Sequence, residues 1–253
     1  MLSGAAKPDI RRAFGDAARR YDAAATVQRS IADALLAHAQ LSAGAVVLDA
    51  GCGTGYGLRA LRRRTPDVHA IGLDAAHAML AQAGGGVCAD LESLPLRNAS
   101  IDHYWSSLAW QWTQPQRAIA EAARVLRSAG RLEVATLGPH TLDALRAAFD
   151  QADDAEHVRD FTAPEAYADW LAQAGFHDIT VHRQDTIVHA PDLRSILRGL
   201  RDIGAHALGK GRRRGLLGRA AWSRIEDHYE SLRTDQGLPV RYDVVYLLAR
   251  RAP

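Results

Sequence analysis

An α/β fold built on a mostly parallel, seven-stranded sheet follows from three features of the chain. Apolar runs of strand length alternate with amphipathic helical segments, the pattern that parallel strands with covering helices and right-handed crossovers require. The first run, Val46-Val47-Leu48, leads into Asp49 and then into glycines at alternate positions, Gly51, Gly53 and Gly55. The second, Val68 to Leu73, ends in Asp74, about where a doubly wound sheet presents an acid to ribose hydroxyls. A plain helix-capping role for Asp74 is compatible with the same position.

The elements can be taken in chain order. Pro8 to Arg20 and Thr26 to Ala39 read as two amphipathic helices on either side of Tyr21-Asp22, the second through Val27, Ile31, Leu35 and Leu36. Strands are predicted at 45–49, 68–73, 86–89, 101–106 and 131–136, with helices near 56–64, 76–82 and 115–127. A helix near 139–150, a loop through Phe161 and a helix near 164–174 ending at Gly175 lead to a strand at 178–188. A basic helical stretch, 192–224, then precedes a closing strand at 241–249 and reads as an insertion placed to cover the site. Internal repeats, low-complexity tracts and long linkers are absent, so residues 1–253 are expected to form one domain.

The glycine spacing narrows the ligand. Glycine lacks the Cβ that would bar a tight turn from approaching a bound molecule. The dinucleotide fingerprint needs a further glycine five places after the first, where Tyr56 or Leu58 stands, and no Gly-Lys-Ser/Thr follows as a P-loop needs. The remaining pattern, Asp49-x-Gly51-x-Gly53-x-Gly55 after a strand, resembles the first motif of class I S-adenosylmethionine (SAM) methyltransferases, which have a Rossmann-like fold. Asp74 and the segment Gly86 to Leu96 around Asp90 and Leu91 match, in order, that superfamily's ribose- and adenine-contacting segments.

Composition sets the frame. With 47% hydrophobic residues in 253 the chain can bury a full core, and its net charge of +2 suggests neither nucleic acid nor membrane. Residues 194 to 224, however, carry nine basic side chains against Asp202 alone, a local balance of +8. Gly209 to Gly215 lacks the interleaved aromatics that stack on bases, which argues against nucleic acid. The two cysteines, Cys52 in the glycine loop and Cys88 in a strand expected to be buried, have no evident mate, as in a reducing cytoplasm. No signal-type apolar core or run of transmembrane length occurs, so a cytoplasmic protein without membrane partners is expected. The eleven histidines form no H-x-x-x-H or H-E-x-x-H, and no metal is expected.

The loop Trp105 to Trp112 has neither the Asn/Asp-Pro-Pro-Tyr run of amino methylation nor a Pro-Cys nucleophile. A more selective likeness comes from an ordered set of segments. It comprises Phe14-Gly15 with Tyr21-Asp22, Asp90 to Leu96, Ser107 to Trp112, Ala135 to Leu142, His157-Val158, Ile196 to Ala205 and Gly211-Arg212. Together they resemble the malonyl-acyl-carrier-protein O-methyltransferases of biotin synthesis over residues 10 to 250. The Thr-Leu-Gly-Pro segment and the Leu-Arg-x-Ile-Gly-Ala helix are the selective parts. Ser107 departs from the family, which often has Asn there; it keeps a donor and an acceptor but lacks the amide's reach.

The resemblance implies an N-terminal helical lid (1–40), a cofactor-binding core (41–137) and an acceptor side (138–253). It implies SAM held by Tyr21, Asp49, Gly51, Gly53, Gly55, Asp74, Asp90, Leu91 and Ser106, with S-adenosylhomocysteine as product. It also implies a carboxylate acceptor, which titrates near pH 4 and needs aim but no general base. An arginine fork is the natural holder of such an acceptor, and Arg198 and Arg201 on the selective helix are the candidates. Lys210, Arg212, Arg213 and Arg214 would steer the acidic acyl carrier protein that bears malonyl-phosphopantetheine. The alternatives are methylation of another small acceptor, such as a quinone-ring carbon, and a non-catalytic SAM-binding assembly factor.

Overall fold

In the computed structural model, residues 6–205 and 217–253 are described. Lys210, Arg212, Arg213 and Arg214 lie outside the described residues. The strands are β1 (Val46–Ala50), β2 (His69–Asp74), β3 (Val87–Cys88), β4 (Ile101–Ser107), β5 (Leu126–Leu137), β6 (Phe176–Ala190) and β7 (Leu238–Arg251). They form one sheet in the order β3-β2-β1-β4-β5-β7-β6. β1 to β5 pair in parallel, whereas β7 runs antiparallel to both of its neighbours. The order reverses between β1 and β4, and a crevice at the carboxyl ends of such strands is where open α/β sheets bind ligands.

Side-chain alternation along the strands divides the core into two layers. Val47, Trp105, Val244 and Tyr246 face one layer, with Ile31 and Leu35 of α2 (Thr26–His38) and Leu61 of α3 (Tyr56–Arg64). Leu48, Tyr104, Val245 and Leu247 face the other, with Ile119 of α5 (Pro115–Val125) and Leu171 of α7 (Pro164–Gln173). The helix α1 (Lys7–Ala24) crosses the carboxyl end of the sheet and packs on α4 (His77–Ala83) and α8 (Leu193–Asp202).

Several boundaries differ from expectation for local reasons. Tyr21 and Asp22 are not a linker; α1 continues through them and ends at Ala24. The third strand is only two residues long at the sheet edge, so Cys88 is exposed instead of buried. The helix expected from 139 begins at Asp143 as α6 (Asp143–Asp150), because the preceding turn is pinned to β7. There Gly138 N donates to Asp243 O at 2.7 Å and Leu142, at φ 57°, donates to Arg241 O at 2.8 Å. The insertion between β6 and β7 extends past residue 224, since α9 (Arg219–Glu230) continues until Ile225 and Tyr229 are buried. The Tyr229 hydroxyl donates to Pro239 O at 2.8 Å.

Asp243 organises this turn. Its buried carboxylate accepts from Arg183 Nε at 3.0 Å, Arg183 Nη2 at 2.8 Å and His140 N at 3.0 Å. Burial alone would raise its pKa, but Arg183 and the His140 N–H outweigh that and hold the carboxyl below its usual range. Asp243→Ala is expected to cost roughly 1–3 kcal/mol, because it removes the hydrogen bonds that the half-exposed Arg183 and the His140 N–H make to this carboxylate. The depressed pKa fixes the sign of the pH effect: the Asp243 contribution is present above about pH 4 and lost as pH falls below it. Urea unfolding of both proteins from pH 3 to 7 measures it as a gap that narrows toward the acid end.

Candidate active site

The loop after β1 turns by placing Gly51, Gly53 and Gly55 at φ 83°, 53° and 82°, a region that side chains with a Cβ rarely enter. Gly51 N and Cys52 N both donate to Leu73 O, at 2.7 and 2.9 Å. Gly53 N donates to Asp74 Oδ2 at 2.9 Å, and Ala76 N donates to Asp74 Oδ1 at 2.8 Å. Asp74 is therefore aimed by two backbone donors at the rim of a cleft of about 760 Å³, which Gly51, Gly53, Met79, Asp90 and Leu91 also line. A Cβ on Gly53 would project into open space, whereas one on Gly51 would lie 2.3 Å from Ala109 Cβ. Gly51 thus serves close packing and Gly53 borders the open cleft.

Asp49, at the end of β1, is 1% exposed, and its Oδ2 has no hydrogen-bond partner. Gly57 lets α3 approach it, since a Cβ there would fall 2.6 Å from that oxygen. Burial pushes the Asp49 carboxyl up to about 8, with the Asp74 charge adding to the shift and a Leu58 backbone hydrogen bond opposing it. A buried carboxylate with one unsatisfied oxygen beside a glycine loop fits a cationic ligand such as the ammonium or sulfonium of SAM, and Asp74 fits a diol.

The helix α1 closes the other side. Lys7 Nζ lies 2.7 Å from Asp90 Oδ2 and 2.8 Å from Glu92 Oε2. Burial would raise the Asp90 carboxyl, yet Lys7, the Glu92 N–H and Arg11 hold it below its usual range. At its far end α1 is tied down by Thr54 Oγ1, which donates to Asp22 Oδ1 at 2.6 Å, and by Arg20 Nε, 3.2 Å from Asp202 Oδ1. Tyr21 lines the cleft, and burial together with the Asp74 and Asp22 charges raises its hydroxyl, which stays protonated.

Ser106 takes no part in this cleft. It is fully buried and donates to Ala50 O at 2.6 Å, tying β4 to β1; its neighbour Ser107 lines the cleft instead. Strand alternation turns adjacent residues to opposite sides, and the expectation was one residue out of register.

A second cavity of about 750 Å³ abuts the first, and Phe14, Tyr21, Leu108 and Trp112 line both. Phe14 packs edge-on against Trp112 with centroids 5.2 Å apart. From α8 and the residue that caps its end the cavity receives Leu200 and Ile203. Arg198 and Arg201 line neither cavity; they lie on the exposed face of α8, which the i, i+3, i+4 geometry sets apart from its buried Leu193 and Ile196. The guanidinium that does line the second cavity belongs to Arg159, and it sits 4.7 Å above the Trp112 ring. Its Nε and Nη1 are buried without hydrogen-bond partners. Burial lowers the pKa of this guanidinium, against weaker opposing effects of Glu156, Tyr167 and Asp160. Arg159 directly follows the His157-Val158 pair that carried part of the resemblance, the one sequence signal for it. Among the described residues no group of three His, Cys, Asp or Glu side chains could hold a metal ion.

Comparison with known proteins gives the lineage. The Methyltransferase domain family matches residues 48–134. The malonyl-[acyl-carrier protein] O-methyltransferase of Dechloromonas aromatica (strain RCB) is 42% identical over 97% of this chain and 95% of its own. The chain belongs to the malonyl-acyl-carrier-protein O-methyltransferase family. A second relative with that name, from Laribacter hongkongensis (strain HLHK9), is 43% identical over 95% of this chain and 88% of its own. The crystal structure of the YcgJ protein of Bacillus subtilis superposes with a TM-score of 0.62 at 18% identity, covering 88% of this chain and 99% of that one, which shows the shared fold. The chain is accordingly a SAM-dependent methyltransferase with the class I architecture.

For this family member the Asp49 environment yields a signed pH effect. With its carboxyl raised to about 8, the ligand-free site is protonated at pH 6 and must release a proton to pair with a cationic ligand. S-adenosylhomocysteine affinity is therefore expected to fall as pH drops from 8 to 6, by up to about tenfold per unit, with net proton release. Calorimetry in buffers of different ionisation enthalpy measures both quantities, and Asp49→Asn should weaken binding and remove the pH dependence.

Proposed function

We propose that this enzyme transfers the methyl group of SAM to the free carboxylate of malonyl-acyl carrier protein. The resulting methyl ester masks the charge, so that the chain can be elongated like an ordinary acyl group early in biotin synthesis. One observation carries the reading. Asp49, whose buried Oδ2 has no partner, lines a pocket at the glycine loop with Tyr21, Gly51 and Gly53, while Arg159, whose Nε and Nη1 are buried without partners, lines the second cavity, and Tyr21 borders both. A cationic donor and an anionic acceptor are the pair that such a layout suits.

SAM supplies an electrophilic methyl when bound. Asp49 would face its cationic end, Asp74 its ribose hydroxyls, and the Asp90-Leu91 edge under Lys7 its base. Tyr21 and Phe14 cover the junction and exclude water, which matters because the rate gain of such a transfer comes from alignment and desolvation. A carboxylate acceptor is already ionised near neutral pH, so the side chains need to move no proton.

Arg198 and Arg201 take an outer role in this reading. They are exposed and form no ion pair with the described residues, and they continue into the basic stretch that holds Lys210 and Arg212 to Arg214. Exposed charges of one sign on an insertion beside the acceptor cavity suit an acidic carrier protein, whose encounter they would steer. A quinone-type acceptor would instead favour an apolar entrance.

Mass spectrometry of malonyl-carrier protein incubated with SAM and the enzyme should detect one added methyl; an unchanged mass would overturn the reading. Arg198→Glu/Arg201→Glu should lower kcat/KM about tenfold at low ionic strength, flatten its salt dependence and leave kcat at saturation unchanged. Kinetics across a salt series separates this outcome from a lost carboxylate contact, which would lower kcat.

A further inference from the structure

We infer that Arg159 is the gatekeeper of the acceptor cavity, selecting a free carboxylate for reaction and losing its hold on the ester once the methyl has been transferred. The inference rests on the proposed carboxyl methylation and assigns it a specificity-determining residue.

Arg159 lies on the segment between α6 and α7, and that segment is fixed by another arginine. Arg146 Nη1 donates to Val158 O at 3.0 Å and Asp160 Oδ1 at 3.1 Å, and Arg146 Nη2 donates to Arg159 O at 2.9 Å. The backbone is thus held on both sides of Arg159 while its own side chain projects over Trp112. The nearby His157 is already engaged, its Nε2 2.8 Å from Asp153 Oδ1 and its ring stacked on Phe149 at 4.1 Å. The remaining lining is largely apolar, including Leu142, Leu145, Phe161 and Ile203.

A guanidinium does not give up its proton, so burying its Nε and Nη1 without partners is a standing cost, although the residue as a whole is only half-buried. The ring face of Trp112 offsets part of that cost but accepts no conventional hydrogen bond. An entering carboxylate offsets the rest, and the planar donor pattern fixes the direction of its oxygens as well as their charge. Trp112 lines both cavities, so a carboxylate held here stands at the junction with the cofactor cleft.

The transfer removes the charge that Arg159 holds. A carboxylate oxygen forms a bond to the methyl carbon as the carbon–sulfur bond breaks and its electron pair stays on sulfur. One anion and one sulfonium cation become a neutral ester and a neutral thioether, and no proton moves. Arg159 is then buried and unpaired again, which disfavours the product complex. An acyl chain that lacks a free carboxylate meets the same penalty, so the residue would exclude both product and ordinary acyl groups.

The test is calorimetric titration of the full-length enzyme, saturated with S-adenosylhomocysteine, with malonyl-carrier protein, its methyl ester and acetyl-carrier protein. Wild type should prefer the acid to the ester by roughly 30-fold or more, the scale of a desolvated charge pair. Arg159→Gln should bring the three ligands to within a few-fold of each other, with S-adenosylhomocysteine affinity and Tm as in wild type. Arg159→Lys should keep a preference for the acid yet lower kcat at saturation, because a point charge holds the carboxylate without aiming it. A Gln variant that still discriminates acid from ester, or that turns over at the wild-type kcat, would overturn the inference. Absence of methyl transfer by wild type would instead overturn the functional reading, while the acid-to-ester binding ratio still measures what Arg159 recognises.

Discussion

The buried carboxylate of Asp49, whose Oδ2 has no partner, is the constraint around which the carboxyl end of the sheet is arranged. It lies at the end of the central strand, beneath a loop whose three glycines are left-handed, and beside a helix that only a glycine at position 57 allows so close. Burial raises the free energy of its charged form by more than the Leu58 hydrogen bond lowers it, so a cation that pairs with it gains. Trp105, whose Nε1 is likewise buried without a partner, packs against the same glycine. These features are coherent as a site and would be defects in a core without function.

The acceptor side repeats the principle with the opposite sign. Arg159 is a half-buried cation whose Nε and Nη1 have no hydrogen-bond partner, held on a backbone that Arg146 pins. The two groups lie in different pockets, and Phe14 and Tyr21, which line both the cleft and the second cavity, come from a helix that precedes the sheet. α1 is therefore more than a cover. Its Lys7 end is paired with Asp90 and Glu92 on the cofactor side, and its Arg20 is paired with Asp202 on α8.

The insertion between β6 and β7 adds a second layer of charge outside the first. Its helix α8 buries Leu193 and Ile196, sends Leu200 to the acceptor cavity alongside the capping residue Ile203, and leaves Arg198 and Arg201 in solvent. Exposed charge acts over a Debye length and is screened by salt, whereas the buried guanidinium acts only at contact. Steering and selection thus fall to different arginines.

The sequence by itself determined the layered α/β architecture and the cofactor loop, because each is written in local patterns, whereas the strand order came from the tertiary structure. Strand alternation, glycines where φ must be positive, and an acid at a strand end are properties of a few consecutive residues. The same locality explains the misses. Ser106 and Ser107 differ only in which side of β4 they face, and one residue of register moved the assignment to the wrong neighbour. Arg198 and Arg201 were legible as a basic helical face, but whether that face meets the cavity or the solvent depends on how α8 docks, and Leu193 and Ile196 decided it. Arg159 carried no local signal beyond its neighbours His157 and Val158. Its importance comes from what surrounds it, a tryptophan from the loop after β4, apolar side chains from α6 and α8, and no hydrogen-bond partner for Nε or Nη1. Burial of a charge is a property of the assembled fold, so only the tertiary structure could single that arginine out.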